Sequence, residues 1–591
     1  VVAFIFQRPQ EEDLMYTAST ALIEALVEAG VSYIFANLGS DHPGIIESLA
    51  EASATGRPAP RLITCPNEMV ALSAAHGFAQ ATGRAQAVLV HVECGTQALA
   101  GALHNAAKGR VPVLIFAGAS PFTQEGEMRG SRNEFIQWIQ DVFDQRGLAR
   151  GYVKYDNEIR TGRNIKQMVF RALQFAHSDP KGPVYLMAAR EVLEEEVPPV
   201  EALPENWPPI RPGALPPSEV GTVFADLLRA RRPLVVTSYL GRNPDAVTEL
   251  IRLCERLAIG VLESVPSYVN YPADAGLYLG NQWNEPVQNR ALDEADFVLV
   301  IDSDVPWIPT INKPRKNAAI YHIDVDPLKE QMPLWQIPAR LVFRADAEEA
   351  LKQLNDYLDN AEIDEEAIKE RSAHYASLSK ARREKLLRAE RLEGDIITPE
   401  YLTACVRQHI DRDTIVLNEG ITNFGTIIDH LGLRGEIRPG HMFASGGGSL
   451  GWNGGAAIGV KLACPDKTVV CLTGDGSYMF SAPSSVHWIA RRYQTPFLQI
   501  IYNNRGWKAP KLSTLAIHPD GYARRSADRN EDIGVSFDPP PDYSGIAAAA
   551  GGAFARIARR PEELNSALDD ALKAVRHERR CAVLDVCLAH L

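Results

Sequence analysis

Short β-branched runs, each followed by helical text, recur along this chain in three blocks. The first block offers "VSYIFANLG", "AQAVLVHVE", "VPVLIFAG" and "GPVYLMAA". The second offers "RPLVVTS", "DFVLVIDS" and "AAIYHIDVD", and the third "DTIVLNEG", "KTVVCLTGDG", "FLQIIYNN" and "CAVLDVCL". Runs about 20 to 40 residues apart are too distant for hairpins, so helices must carry the crossovers. Sheets built this way are parallel and covered on both faces, which suits unbroken apolar strands. The expected fold class is α/β, with three doubly wound parallel-sheet domains.

Two stretches separate the blocks. "PPVEALPENWPPIRPGALPP", residues 198–217, holds eight prolines and reads as an extended surface linker. Residues 356–395 are dense in Lys, Arg, Glu and Asp at helical spacing and read as a solvated helical connector. The domains are then 1–197, 218–355 and 396–591. A formal net charge of −13 argues against nucleic acid as a partner, since phosphate backbones need a basic surface. The eight cysteines are scattered and form no metal-type pair, which fits a reduced cytoplasmic protein. The opening VVAFIF is too short for a signal segment, and no apolar run approaches the roughly 20 residues that span a bilayer. A small-molecule ligand remains.

In doubly wound sheets such ligands gather at the C-terminal ends of the strands. There "CLTGDGSYMF" ends an apolar run on an acid, Asp475, between two glycines. Gly-Asp-Gly alone is a common turn. However, 26 residues (477–502) separate it from Asn503-Asn504 at the end of the next run, room for one crossover helix and one strand. Neighbouring parallel strands would bring the two ends together. An Asp carboxylate, an Asn amide oxygen and a backbone carbonyl form a hard oxygen site suited to Mg²⁺ that also holds a diphosphate. The glycines let backbone amides approach phosphate oxygens, and the helix that follows adds its positive end.

This pattern resembles the signature of the thiamine-diphosphate-dependent decarboxylase and acetolactate synthase superfamily. The resemblance extends over nearly the whole chain. "CPNEMVALSAAHGFAQATGRAQAVLVH" is similar to the family's catalytic-glutamate segment, and "GTQALAGALHNAAKGRVPVLIFAG" to the stretch after it. It implies thiamine diphosphate and Mg²⁺, with the metal on Asp475, Asn504 and the Gly506 carbonyl, and Gly474, Gly476, Ser477 and Trp507 lining the cofactor. Glu68 would face the pyrimidine ring nitrogen, where its proton favours the imino tautomer that activates the thiazolium carbon. "SGGGSLGWNGG" is similar to the loop over the aminopyrimidine. That implies the Gly448 carbonyl as acceptor and Leu450 as the apolar residue that bends the cofactor. Relatives carry Leu-Pro where this chain has Gly454-Gly455. "LNEGITNFG" resembles the diphosphate-contacting turn, through the Ile421 backbone and the Thr422 hydroxyl. The first domain is then pyrimidine-binding and the third binds the diphosphate and Mg²⁺.

On the substrate side, Ser40 and His91 resemble the active-site serine and histidine of benzoylformate decarboxylase-like members, with Asp41 and His42 as adjacent alternatives. "FIQWIQDVFDQRGLARGYVKYDNEIR" resembles the acetolactate synthase segment bearing an active-site glutamine and lysine, with Gln140 and Lys154 nearest. The middle block resembles a flavin- or nucleotide-accommodating domain, but "SYLGRN" replaces its glycine-rich turn and argues against FAD. Residues 505–540 lack clear periodicity and read as a lid or binding loop over the substrate. The resemblance implies a homodimer or homotetramer with active sites between subunits. It also implies decarboxylation of a 2-oxo acid such as pyruvate, ending in aldehyde release or carboligation to an aldehyde or ketone acceptor. Alternatives are a 2-hydroxyacyl-CoA or oxalyl-CoA lyase, a cyclic-diketone hydrolase, a flavin-dependent 2-oxo acid oxidase, and a non-catalytic cofactor-binding assembly subunit. A mere binder has no need of Glu68.

Overall fold

The structure, a computed structural model, describes residues 16–283, 286–392, 394–526 and 529–591. VVAFIF lies outside them. Three six-stranded sheets, every registered pair parallel, form three α/β units in chain order. The first contains β1 (Tyr33–Ala36), β2 (Arg61–Thr64), β3 (Ala87–Val90), β4 (Val113–Ala119), β5 (Asp156–Ile159) and β6 (Pro183–Ala189), in the order β2-β1-β3-β4-β6-β5. The second contains β7 (Pro233–Thr237), β8 (Gly260–Glu263), β9 (Tyr278–Asn281), β10 (Phe297–Ile301), β11 (Ala319–Asp324) and β12 (Leu341–Arg344), ordered β12-β11-β10-β7-β8-β9. The third contains β13 (Thr414–Glu419), β14 (Met442–Phe443), β15 (Thr468–Gly474), β16 (Leu498–Asn503), β17 (Phe554–Ala558) and β18 (Ala582–Cys587), ordered β14-β13-β15-β16-β18-β17.

The apolar runs quoted above form the inner strands, because only inner strands are buried on both faces. β3, β4, β7 and β10 are buried at every residue. The strands without such a signal are mostly at or next to sheet edges, as in β2 ("RLIT"), β5 ("DNEI") and β12 ("LVFR"), where half or more of the residues reach solvent.

Among the helices, α1 (Glu68–Thr82), α2 (Val92–Ala98), α3 (Ala100–Lys108), α5 (Trp452–Ala463), α6 (Asp475–Phe480), α7 (Pro483–Tyr493) and α8 (Lys508–Ile517) build or frame the site, and α4 (Glu365–Ala389) is the connector. α1 and α5 pack so closely that their backbones meet. A Cβ at Gly455 would lie 2.6 Å from the Ser73 side chain, and one at Gly459 only 1.8 Å from the Ala74 carbonyl oxygen. The Gly454-Gly455 departure thus has a local cause at its second position. This helix crossing joins the first and third domains, while Arg110 pairs with Asp304 at 2.7 Å to tie the first domain to the middle one. α4 buries Arg371, Tyr375 and Ser379, and Arg382 reaches inward to Asp429 at 2.6 Å and over the Tyr278 ring, while most of its other charges face outward.

One expectation is corrected. Residues 505–540 are not an aperiodic loop: they contain α8, a helical turn at Tyr522–Arg525 and a 3₁₀ turn at Asn530–Ile533. α8 buries none of its residues. A helix with no buried face leaves no apolar period to read. Among the described residues, no helix is long and apolar enough to cross a membrane.

Candidate functional site

The sequence-derived residues collect at the C-terminal strand ends of the first and third sheets, as two half-sites. In the third sheet, β15 and β16 are hydrogen-bonded neighbours with Gly474 opposite Tyr502. That register sets Asp475, the first residue of α6, beside Asn503 and Asn504. Asp475 is buried, and its Oδ2 accepts the Gly506 N–H at 2.9 Å. The Asn504 Oδ1 accepts the same N–H at 3.2 Å, so both side-chain oxygens converge on one point of the chain. Asn503 supports the turn, donating from Nδ2 to Asp585 at 2.8 Å. Gly506 has φ 154°, and a Cβ there would lie 2.1 Å from the Val535 carbonyl oxygen. Trp507 covers Gly476 so closely that a Cβ at 476 would fall within 2.2 Å of its ring.

Two features of this half fit a cation and a phosphate. Burial pushes the Asp475 carboxyl up to about 6 against the backbone N–H groups that favour its charge, a cost a bound divalent ion would offset. Ser477 Oγ is buried with no hydrogen-bond partner among the described residues, a donor left for an acceptor from outside the chain. Those residues also contain no group of three or more His, Cys, Asp or Glu placed to hold a metal ion. A metal here therefore rests on one carboxylate plus amide and backbone oxygens, which suits a hard cation. Across the rim, Ile421 is held at φ 51°. For a β-branched residue this is a strained conformation of the kind that clusters at ligand sites. Thr422 sits beside it, half-buried.

Sequence reasoning missed Glu419. This buried last residue of β13 accepts the backbone N–H groups of Gly451 (2.6 Å), Trp452 (3.2 Å) and Asn453 (2.8 Å). It thereby fixes the start of α5 and the end of the loop bearing Gly448 and Leu450. The available signal was an acid at a strand end directly before the Gly-Ile-Thr turn. Gly448 is exposed and Leu450 half-buried, so Leu450 is not a core leucine.

In the first sheet, Glu68 opens α1 behind the cap Asn67, whose Oδ1 accepts the Val70 N–H at 3.1 Å. Asn37 Nδ2 donates to Glu68 Oε1 at 2.8 Å, which occupies one carboxyl oxygen. His91 follows β3, and its Nδ1 lies 2.6 Å from Asp41 Oδ1. That hydrogen bond, with the Asp41 charge, raises the His91 pKa against the effect of burial. Although burial opposes ionisation of Asp41, His42 and His91 together hold its carboxyl below its ordinary range. Gln140 Nε2 stands 2.8 Å from His91 Nε2, completing a line Asp41–His91–Gln140. Ser40 is half-buried, its carbonyl accepting from Arg190 at 3.1 Å.

Two candidates do not line the surface, although His42 Nδ1 still lies 3.1 Å from the Asp41 Oδ1 that His91 contacts. His42 is fully buried, with Nδ1 accepting the Gly39 N–H at 3.1 Å, and supports the loop from beneath. Lys154 is not beside Gln140: its Nζ donates to the carbonyls of Phe175 (2.7 Å) and Ser178 (2.5 Å). The lysine was named from the resemblance to the acetolactate synthase segment, and the turns after Gln140 take its side chain to another face.

The middle domain would receive a dinucleotide between β7 and β10, where its strand order reverses. There Ser238 and Ser303 hydroxyls meet at 2.7 Å, and Tyr239 and Lys329 both hold Asp324 at 2.6 Å. Buried Asp302 adjoins them. Buried carboxylates, Asp302 and Asp324, stand where a flavin diphosphate would bring further negative charge, so these residues do not fit FAD.

Comparison with known proteins agrees with this division. Residues 16–148 match the thiamine pyrophosphate enzyme N-terminal TPP binding domain, 220–354 the central domain, and 429–586 the C-terminal TPP binding domain. The chain is 24% identical to the acetolactate synthase isozyme 3 large subunit of Escherichia coli (strain K12), covering 96% of this chain and 94% of that one. It is 25% identical to benzoylformate decarboxylase of Pseudomonas aeruginosa, over 95% of this chain and 98% of that one. Its fold superposes on the thiamine diphosphate-dependent 4-hydroxybenzoylformate decarboxylase of Rhodococcus jostii RHA1 with a TM-score of 0.76 at 21% identity, covering 98% and 100% of the two chains.

Proposed function

The chain belongs to the thiamine pyrophosphate enzyme family, and from that premise we propose that it decarboxylates a 2-oxo acid such as pyruvate, ending in aldehyde release or carboligation. The observation that carries this reading is the Asp41–His91–Gln140 line on the same strand-end surface as Glu68. Thiamine diphosphate, when bound, supplies an electron sink for the pair left by a broken bond next to a carbonyl.

The chain's own residues do the rest. Glu68, with Oε1 taken by Asn37, keeps Oε2 to hold a proton toward the cofactor's ring nitrogen. His91, oriented through Nδ1 by Asp41, moves protons at Nε2 on the substrate's oxygen or carbon. Ser40 offers its hydroxyl to the substrate carboxylate. Asp475, Asn504 and the Gly506 carbonyl would hold Mg²⁺, and Ser477 Oγ with the α6 amides would bind the diphosphate. Trp507 and α8 exclude water, which favours loss of a charged carboxylate as CO₂.

Both half-sites carry uncovered apolar side chains: Phe135, Ile139 and Phe143 in the segment around Gln140, and Phe480 on α6 with Leu512 and Ile517 on α8. These side chains support a homodimer in which the first domain of one subunit faces the third domain of the other. All eight cysteines are free, which fits the reducing cytoplasm. The test incubates the protein with thiamine diphosphate, Mg²⁺ and a panel of 2-oxo acids, measuring CO₂, aldehydes and acyloins separately. CO₂ with aldehyde identifies a decarboxylase and CO₂ with acyloin a carboligase. CO₂ release from none of them defeats the reading.

A further inference from the structure

The loop bearing Gly448 is held by the first domain of its own chain. His104 Nε2 accepts the Gly448 N–H at 3.0 Å. Asn105, the next residue of α3, grips Ser449 twice: its Oδ1 accepts the Ser449 N–H at 3.0 Å and its Nδ2 donates to the Ser449 carbonyl at 2.9 Å. Asn105 is buried, whereas Gly448 is exposed. The approach is close on both sides. A Cβ at Gly447 would lie 2.5 Å from Asn105 Oδ1, and one at Gly101 would lie 2.0 Å from Ser449 Oγ.

The consequence lies in the peptide planes. The Gly448 carbonyl and the Ser449 N–H belong to one planar trans unit, in which they point in opposite directions. With the N–H fixed to Asn105 on α3, the Gly448 carbonyl must point away from α3. His104 fixes the preceding plane through the Gly448 N–H, so the carbonyl cannot swing by rotation about Gly448. A glycine without such anchors would sample both orientations.

We propose that His104 and Asn105 are positioning residues for the cofactor's aminopyrimidine, fixing the direction of the Gly448 carbonyl that accepts from its amino group. This rests on the cofactor reading above and adds residues that touch neither substrate nor cofactor. It requires His104 neutral, with its proton on Nδ1, since Nε2 is the acceptor.

The test compares His104→Phe, which removes the acceptor but keeps a ring against Tyr152, with His104→Gln, which restores an acceptor. Calorimetry with Mg²⁺ measures thiamine diphosphate and, separately, inorganic pyrophosphate, which needs only the diphosphate half. Hydrogen exchange follows residues 445–450 in the unliganded protein. His104→Phe is expected to weaken thiamine diphosphate about tenfold, leave pyrophosphate within about twofold and speed exchange at the loop, with His104→Gln recovering most of the loss. Unchanged thiamine diphosphate binding in His104→Phe overturns the proposal. So does equal weakening of pyrophosphate, or a glutamine variant no better than phenylalanine. Wild-type protein that binds pyrophosphate but not thiamine diphosphate instead removes the cofactor reading, and this proposal with it.

Discussion

Replacing Gly459 by alanine tests whether backbone contact between α1 and α5 holds the first and third domains in register. The added Cβ would sit 1.8 Å from the Ala74 carbonyl oxygen and 2.8 Å from the Phe78 nitrogen, with no side chain able to move aside. Cβ contacts below 3.0 Å are essentially never seen, so the helices must part by at least 1.2 Å. Alanine gains about 1 kcal/mol of helix propensity over glycine. Forced separation of a packed interface costs about 3 kcal/mol. The net loss of about 2 kcal/mol corresponds to a fall of roughly 4–8 °C in the midpoint for domains of this size. α1 begins at Glu68 and α5 follows the Gly448 loop, so a shift near 1 Å should also cost activity, on the order of 100-fold. Gly454→Ala is the control: its Cβ would meet Val486 methyl groups at 3.1 and 3.2 Å, which can rotate. It should keep or slightly raise the midpoint. Thermal unfolding of the two variants beside wild type is the assay. A Gly459→Ala protein as stable as Gly454→Ala would refute the packing argument.

Two further predictions concern histidines. Asp41→Asn removes the negative charge that helps raise the His91 pKa and leaves only a neutral acceptor for Nδ1, so the limb of kcat/KM that reports His91 should move to lower pH. Turnover should fall by about 10²-fold or more, and a superimposable pH profile would separate His91 from the chemistry. His76 is fully buried on α1 against Trp452, neither ring nitrogen has a partner among the described residues, and burial pushes its pKa down to about 3. Below about pH 6.5 the unfolded chain takes up a proton that the folded chain refuses until about 3. Stability from this group is therefore complete above pH 6.5 and falls by about 1.4 kcal/mol per pH unit on acidification. His76→Phe should flatten the decline of the unfolding midpoint between pH 6.5 and 4.5, and an unchanged slope would contradict the assignment.

What the sequence disclosed follows burial and local geometry. "TIVLNE" and "TVVCLTG" form neighbouring inner strands buried along nearly their whole length, so they read as strands without ambiguity. α8 carries no buried residue and left no period. Asp475 and Asn504 were legible because adjacent parallel strands must end together. Their distance in the chain is set by one crossover helix. Lys154 was named from a segment resemblance, which does not encode the direction a side chain takes after short turns. Asp41 was named only as an alternative to Ser40, since nothing in "NLGSDHPG" reveals that a residue fifty positions later will close on it. Glu419, His104 and Asn105 act on backbone groups of another segment, a role for which only Glu419, an acid at a strand end before a turn, left a local sign.

The account's central claim is that Glu68 of one subunit and Asp475 of another serve one cofactor. Glu68→Gln should abolish turnover while retaining thiamine diphosphate, and Asp475→Ala should lose Mg²⁺-dependent retention of it. Co-expressing the two variants with different tags and isolating mixed dimers tests the claim most directly. A site built across subunits leaves each mixed dimer with one site carrying both substitutions and one carrying neither, so about half of wild-type activity should return. Mixed dimers as inactive as their parents would contradict it.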